Sequence, residues 1–339
     1  MKIWKIISPK VLTEEERPDN ISSDTQAKVK ITKVMIGQPE IRRYSGVSKP
    51  KYPFIPGMFA VGVVTEAGSG CVTVEKNSRV FLGGAAPCGK CPECLKGNYD
   101  NCANVRFPGL DADGYLRDFI VTDESALSPL PSSVSDNDAL FSGIVALCES
   151  VIDRLDVPKG THIAVIGADI IGNILSQLLI WHQAVPILID GDEQRLAKAA
   201  QCGIYYTLKA GDSLLSDLSE ITGGRMAAGS VFLSFTSLPA DLPFKLTSDR
   251  GTVVYTGLEF PEFSLPMKAA MDKNLTLTGA ESDYMHSAAA INLLVNKALT
   301  LNPIYPQEYP LSDMKKLLEE KAALLEKGSR TGTAVINLI

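Results

Sequence analysis

Four cysteines crowded into fifteen positions constrain the fold of this 339-residue chain more than any other sequence feature. They are Cys88, Cys91, Cys94 and Cys102 in PCGKCPECLKGNYDNC, with the spacing C-x2-C-x2-C-x7-C. Four thiolates this close can enclose one Zn²⁺ tetrahedrally, which leaves no coordination position for a substrate or a water. Metal binding at such a site stabilises a loop that has no core of its own. We therefore predict a structural zinc lobe at about residues 84–108.

Charge and hydropathy exclude several classes of partner. The formal net charge is −6 and no run of basic residues stands out, so neither a nucleic acid nor an anionic membrane surface is an expected partner. No apolar stretch approaches the ~18–20 residues that span a bilayer. The opening MKIWKIIS is interrupted too soon by polar residues for a secretion signal, and it predicts an edge strand. We expect a cytoplasmic protein, in which clustered cysteines bind metal rather than form disulfides.

The spacing of apolar residues changes near residue 136. Before it, short runs broken by Gly and Pro, such as AKVKITKVMI and GMFAVGVVTEAG, predict an antiparallel β-rich domain over residues 1–144. After it, strands such as THIAVIG and VPILID alternate with helices such as IIGNILSQLLIWHQ. This alternation predicts a doubly wound α/β domain with a parallel sheet over residues 145–284. Residues 285–339 are predicted to form two helices and a last strand, GTAVINLI.

The segment 163–172, IAVIGADIIG, has the strand–turn–helix pattern of a dinucleotide-binding turn. Gly167 and Gly172 take the first and third glycine positions of G-x-G-x-x-G, which serve the tight turn and the packing of helix on strand. Asp169 stands at the second, where a carboxylate repels a pyrophosphate unless it turns away or caps the helix. Asp190 ends the next strand, where a carboxylate accepts hydrogen bonds from ribose and repels a 2′-phosphate. The pattern predicts NAD(H) rather than NADP(H), and a sheet that binds no nucleotide is the alternative.

Together, these motifs resemble the medium-chain dehydrogenase/reductase superfamily, and within it the zinc-containing alcohol and polyol dehydrogenases. DADGYLRDFIV is similar to the family's D-G-x-F-A-E-Y strand, and IPGMFAVGVV is similar to its G-H-E-x-x-G-x-V. The resemblance implies a GroES-like catalytic domain, a Rossmann NAD-binding domain and a return of residues 285–339 to the catalytic domain. It also implies one structural Zn²⁺ and a homodimer or homotetramer, with GTVVYTG and its neighbours near the edge of the Rossmann sheet as the interface.

The ligands of the family's catalytic zinc are not present at the corresponding positions. VMIGQPEIRRYSG aligns without gaps on the family's V-G-I-C-G-S-D-L-H-I-Y-R-G, which places Gly37 at the first ligand. Met58 and Phe59 take the places of the histidine and glutamate in G-H-E, and the third ligand position falls at about Ser142. Glycine has no ligand atom, and a thioether or a hydroxyl binds zinc poorly. We therefore predict that no catalytic zinc is bound.

Loss of this Lewis acid narrows the chemistry that remains. Hydride delivery to a conjugated carbonyl or an iminium develops a less basic anion, or none, so it tolerates the loss better than reduction of a simple ketone. We predict zinc-independent hydride transfer between NAD(H) and a small apolar carbonyl or conjugated carbonyl substrate. Glu40, Arg42 and Tyr44 lie on the segment that faces the reacting carbon in the family, and they are the candidate catalytic residues. For each, a solvated or ion-paired side chain is the alternative, and Arg42 could instead contact the phosphates of the cofactor.

Two other functions fit the sequence. A dehydrogenase fold that senses nucleotide without turnover agrees with the lost ligands and with Asp169. A zinc-dependent alcohol or polyol dehydrogenase requires ligands other than the aligned ones. The histidines are not expected to supply them, because His162 begins a strand, His182 ends a helix and His286 begins another.

Overall fold

By its internal contacts the chain divides into two compact units. Unit 1 comprises Met1–Gly143, Asp283–Val295 and Pro306–Ile339, and unit 2 comprises Ile144–Ser282 and Asn296–Tyr305. The computed structural model describes all residues except 19, 49, 157, 235, 260, 261 and 281–285, so the predicted boundary between residues 284 and 285 lies outside the described residues. In the part of the chain that is described, no helix is both long and apolar enough to cross a bilayer.

The helices and strands follow one another in three stretches. The first contains β1 (Lys2–Ser8), β2 (Val11–Glu16), β3 (Gln26–Ile36), α1 (Gln38–Ser45), β4 (Phe59–Ala67), β5 (Arg79–Gly83), α2 (Pro92–Leu95), β6 (Phe119–Asp123), β7 (Ser128–Pro129) and α3 (Asp136–Ala139). The second contains α4 (Ser142–Leu155), β8 (His162–Ile166), α5 (Ile170–Trp181), β9 (Val185–Asp190), α6 (Glu193–Gln201), β10 (Tyr206–Lys209), α7 (Leu214–Ile221), β11 (Ala227–Leu233), α8 (Leu242–Leu246), β12 (Thr247–Thr256), α9 (Met267–Asp272) and β13 (Thr276–Ala280). The third contains α10 (Ser287–Val295), β14 (Gln307–Pro310), α11 (Met314–Glu326) and β15 (Ala334–Asn337).

The β-rich domain that the alternating runs predict is confirmed in unit 1. Its largest sheet has the strand order β14-β15-β3-β4-β5-β7, and β6 also pairs with β3. On β3, fully buried Ala27, Val29 and Ile31 alternate with more exposed lysines, so one face of the strand packs into the core. The opening MKIWKIIS is a strand, as predicted, but it pairs with β2 in a separate two-stranded sheet.

The doubly wound domain is confirmed in unit 2. Six parallel strands lie in the order β10-β9-β8-β11-β12-β13. β8 and β9 are almost wholly buried, as expected for central strands of a parallel sheet that crossover helices cover. GTVVYTG falls largely in β12, between β11 and β13, so the strand at this edge of the sheet is its neighbour NLTLTGA in β13.

One part of the C-terminal region belongs to unit 2 rather than unit 1. The side chain of Gln177 on α5 accepts the backbone amide of Thr300 at 2.7 Å and donates to the carbonyl of Thr300 at 3.2 Å. Asn173, one turn earlier, accepts from the same Gln177 amide group at 2.8 Å. Both side chains are buried, so the pairing satisfies polar groups that water does not reach. These contacts explain why residues 296–305 pack with the parallel sheet.

Candidate functional site

The four cysteines of the zinc lobe converge, as their spacing predicts. Their Sγ atoms all lie within 4.8 Å of one another. Helix α2 begins after Cys91, whose Sγ accepts the amide of Cys94 at 3.5 Å. The amide of Cys88 donates to Sγ of Cys102 at 3.3 Å. These local contacts bring four sulfur atoms together, and sulfur is a ligand that zinc prefers, so the donor set fits a structural Zn²⁺.

The charge of the cluster explains why the lobe needs a cation. Hydrogen bonds from backbone amides, that of Lys90 first, lower the pKa of Cys88 to about 6. Burial instead raises the pKa of the Cys94 thiol. Four thiolates so close together repel one another, so they ionise together only around a positive ion.

The turn between β8 and α5 has the close packing that its glycines predict. Gly167 has a φ of +116°, a conformation that favours glycine over residues with a Cβ. A Cβ on Gly172 would lie only 1.9 Å from the carbonyl oxygen of Gly167, so a larger residue there would displace the turn. Strand and helix therefore approach each other as in a dinucleotide-binding turn.

Two carboxylates bind backbone amides of this turn. Asp169 is the N-cap of α5, and its Oδ1 accepts the amide of Gly172 at 3.0 Å. Asp190, which is 1% exposed, accepts the amide of Ala168 at 2.7 Å and that of Asp192 at 3.0 Å. The Asp169 carboxylate, at the second glycine position, thus binds the N-terminus of α5. Asp190 binds the amide of Ala168, the residue after Gly167.

A buried carboxylate connects the two segments that align with the first catalytic-zinc ligands of the family. Glu40 is 1% exposed; its Oε2 accepts the amide of Gly37 at 3.0 Å and its Oε1 accepts the amide of Met58 at 3.1 Å. The first contact is local, because Gly37 is the N-cap of α1 and Glu40 stands in its first turn. The second reaches a residue 18 positions away. Burial raises the pKa of Glu40. Glu40 therefore links the start of α1 to the start of β4.

Phe59 extends this series of contacts to Gly143, the residue after Ser142. A Cβ on Gly83 would lie 2.6 Å from the Phe59 ring and a Cβ on Gly143 would lie 2.1 Å from it, so the ring lies directly against both backbones. Phe81 stacks on Phe59 with 6.1 Å between ring centroids. Ser142, next to Gly143, is 2% exposed, and its Oγ has no hydrogen-bond partner among the residues that the structure describes. The three positions that align with zinc ligands, Gly37, Met58 and about Ser142, are thus connected within unit 1 through Glu40 and Phe59.

Arg42 and Tyr44 occupy other parts of α1. Tyr44 is fully buried, and its hydroxyl donates to the carbonyl of Lys10, in the turn between β1 and β2, at 3.1 Å. Arg42 is half-buried, and its carbonyl accepts the hydroxyl of Ser45 at 2.9 Å. The hydroxyl of Tyr44 thereby fixes α1 against the N-terminal hairpin.

The histidines lie near element ends, as predicted. His162 begins β8 and His182 follows α5, while His286 precedes α10. Within unit 2, Nε2 of His182 lies 3.1 Å from a carboxylate oxygen of Glu149 on α4. Sequence reasoning singled out neither this pair nor the unpartnered hydroxyl of Ser142, because both depend on contacts between distant segments.

Comparison with known proteins adds independent support for the fold. Residues 23–132 match the family described as the alcohol dehydrogenase GroES-like domain. A sorbitol dehydrogenase from Halalkalibacterium halodurans is 25% identical over 308 residues, which cover 89% of this chain and 90% of that protein. Galactitol-1-phosphate dehydrogenase from Escherichia coli has a similar structure, with a TM-score of 0.87, 20% identity and 100% coverage of both chains. An alcohol dehydrogenase from E. coli CFT073, complexed with the cofactor NADH, has a TM-score of 0.85 and 19% identity, covering 100% of this chain and 99% of that chain.

These similarities agree with the fold of both units. Unit 1 has the GroES-like fold and unit 2 the parallel six-stranded Rossmann sheet, and both agree with the predicted fold. Over most of its length the chain is similar to zinc-type alcohol and polyol dehydrogenases, and the four-cysteine cluster is present. The curated relatives that it matches include several dehydrogenases.

Proposed function

We propose that this protein transfers hydride between NAD(H) and a small carbonyl or conjugated carbonyl compound without a catalytic zinc. The observation that carries the proposal is the link made by Glu40. Its two oxygens bind the amides of Gly37 and Met58, which are the positions of the first two zinc ligands in the family. A carboxylate thus holds together two segments that a metal ion connects in the related enzymes.

The donor set around this link does not fit a divalent metal. The four aligned positions offer one thioether and one hydroxyl, because glycine and phenylalanine have no ligand atom. Glu40 is the carboxylate in contact with them, and both its oxygens accept backbone amides. Moving it onto a metal would leave two buried amides unpaired, which is costly.

The proposed cofactor-binding segment is the turn between β8 and α5. Gly167, Asp169, Gly172 and Asp190 are its proposed binding residues, since they shape the turn against which a pyrophosphate and a ribose lie in this fold. NAD(H), when bound, supplies or accepts the hydride. The acidic Asp190 at the end of β9 favours NAD(H), because it would repel the 2′-phosphate of NADP(H).

The surroundings of Met58 favour an apolar substrate. Met58 and Phe59 are 5% and 1% exposed, and Phe81 stacks on Phe59. The hydroxyls of a polyol would lose water in such surroundings without gaining partners. A conjugated carbonyl compound fits better, because the charge that develops during its reduction is spread over several atoms and depends less on a metal.

Zinc content provides the first test. We expect elemental analysis of the purified protein to give one zinc per chain, held by the four-cysteine cluster, because the remaining described residues around Glu40 offer no comparable donor set. Two zinc ions per chain would contradict the proposal and would favour a zinc-dependent alcohol or polyol dehydrogenase whose ligands differ from the aligned ones.

Turnover provides the second part of the same test. The one-zinc protein should oxidise NADH in the presence of at least one enal, enone, aldehyde or quinone from a panel. Binding of NADH without turnover of any panel member would contradict the proposed activity and would favour a nucleotide sensor.

The sensor function is a second candidate because of Asp169. Its carboxylate sits at the N-terminus of α5, where a pyrophosphate would otherwise meet backbone amides. We expect Asp169→Gly to bind NADH about tenfold more tightly than the wild type, equivalent to ~1.4 kcal/mol, since one negative charge is removed. Glycine is a tolerated N-cap, so the helix should persist.

Fluorescence titration with NADH measures this change. The matched control is Asp272→Asn, which removes the same charge from an exposed ion pair with Lys268 on α9 of unit 2. Equal tightening in both variants would show that overall charge, rather than the position of Asp169, controls the affinity.

A further inference from the structure

The hydroxyl of Ser142 is a buried polar group that the described residues do not satisfy. Ser142 is 2% exposed, and its Oγ has no hydrogen-bond partner among the described residues. Buried hydroxyls are normally paired, because leaving one unpaired sacrifices the hydrogen bonds it makes with water. A group that binds a ligand is one physical explanation for such an unpaired atom.

Its neighbours connect the hydroxyl with the proposed site. The adjacent Gly143 lies against the ring of Phe59, and Phe59 follows Met58, whose amide binds Glu40. Ser142 also stands at the position that aligns with the third zinc ligand of the family. The hydroxyl is shielded from water, and a hydrogen bond away from water is electrostatically stronger than one in water.

We infer that the Ser142 hydroxyl donates a hydrogen bond to the carbonyl oxygen of the substrate as negative charge develops there. This inference rests on the proposed function. The neutral hydroxyl of Ser142 would stabilise the charge on the carbonyl oxygen, which the catalytic zinc does in the family. The preferred substrates would then be apolar molecules whose carbonyl oxygen can reach the Ser142 hydroxyl.

The chemical step balances without any further reactant. NADH, when bound, would supply the hydride that the electrophilic carbon of the substrate accepts, and it would be oxidised to NAD⁺. The displaced π electrons move to the carbonyl oxygen, directly or through the conjugated double bond. Ser142 keeps its own proton and stabilises this oxygen by hydrogen bonding, and the proton that completes the product comes from water. Donors preorganised for such an oxygen typically contribute about 10²–10³-fold to kcat.

The test is Ser142→Ala, examined for both catalysis and stability. We expect kcat for the substrate found in the panel to fall about 10²–10³-fold, with NADH binding unchanged. The Tm should stay the same or rise, because the substitution removes a hydroxyl that none of the described residues satisfies. Ser142→Cys, whose thiol is a weaker donor than a hydroxyl, should have a kcat between those of the wild type and Ser142→Ala.

Ser135→Ala is the matched control. Ser135 is the N-cap of α3, and its hydroxyl accepts the amide of Asp138 at 3.1 Å. Its loss should lower the Tm and leave kcat unchanged, the reverse of the pattern expected at Ser142.

Three outcomes would overturn the inference. An unchanged kcat in Ser142→Ala would show that the hydroxyl does not act on the substrate. A fall in Tm like that of Ser135→Ala would show that it supports the fold instead. Failure of the proposed function is recognised separately: the wild type itself would then reduce no member of the panel, and the role of Ser142 would fall with it.

Discussion

Cys94→Ser is expected to abolish zinc binding and to unfold the lobe around residues 88–102. Cys94 is 5% exposed and lies within 4.8 Å, sulfur to sulfur, of the other three cysteines. Serine is too weak a ligand to replace a thiolate, and metal binding to comparable structural sites is worth about 10–16 kcal/mol in small zinc domains. Helix α2 of the lobe is only four residues long, so it contributes little stability of its own.

Zinc content and amide hydrogen exchange measure this loss. The variant should contain no zinc, and amides of the lobe should exchange much faster than in the wild type, while those of the parallel sheet in unit 2 stay protected. Cys71→Ser is the matched control, because Cys71 lies outside the cluster and its Sγ contacts the carbonyl of Gln26 instead. A Cys94→Ser protein that still holds one zinc per chain would refute the assignment of the ligands.

Glu40→Ala is expected to destabilise the protein by about 3 kcal/mol, because it removes the acceptor of two buried amides. The amides of Gly37 and Met58 would both be left without this partner, and a cavity would remain where the side chain was. The loss is partly offset, because the burial of a carboxylate is itself unfavourable, as the raised pKa of Glu40 shows.

The pH dependence of this effect has a definite sign. The folded protein holds the Glu40 proton more tightly than the unfolded chain does, because burial raises the pKa. The contribution of Glu40 is therefore fully present below the ordinary glutamate value of about 4.3 and declines as pH rises through the raised pKa. The stability difference between the wild type and Glu40→Ala should be larger at acid pH than at neutral pH.

Chemical denaturation of both proteins across this pH range provides the measurement. Glu124→Ala is the matched control, because the Glu124 carboxylate also accepts two amides, those of Val72 and Thr73, but in contact with solvent. Water can replace Glu124 as acceptor, so its loss should be small. Equal destabilisation by the two substitutions would show that burial of Glu40 contributes nothing beyond its hydrogen bonds.

The sequence by itself determined the features that depend on short stretches of chain. The zinc lobe could be predicted because its four cysteines lie within fifteen positions, so a few local turns suffice to bring the sulfurs together. The turn after β8 could be predicted because Gly167 and Gly172 must lie close for one strand to lead directly into one helix. The parallel sheet followed from the alternation of apolar strands with helices.

Only the tertiary structure decided how distant residues are used. Glu40 and Tyr44 stand one turn apart on α1, and both were catalytic candidates. The Glu40 carboxylate accepts the amide of Met58, whereas the Tyr44 hydroxyl donates to the carbonyl of Lys10. The unpartnered hydroxyl of Ser142 has the same origin, since a missing partner is a property of all the segments that surround it. Local sequence patterns predict which helices and strands form. The partner of a buried polar atom depends instead on which distant segments the core packs against it.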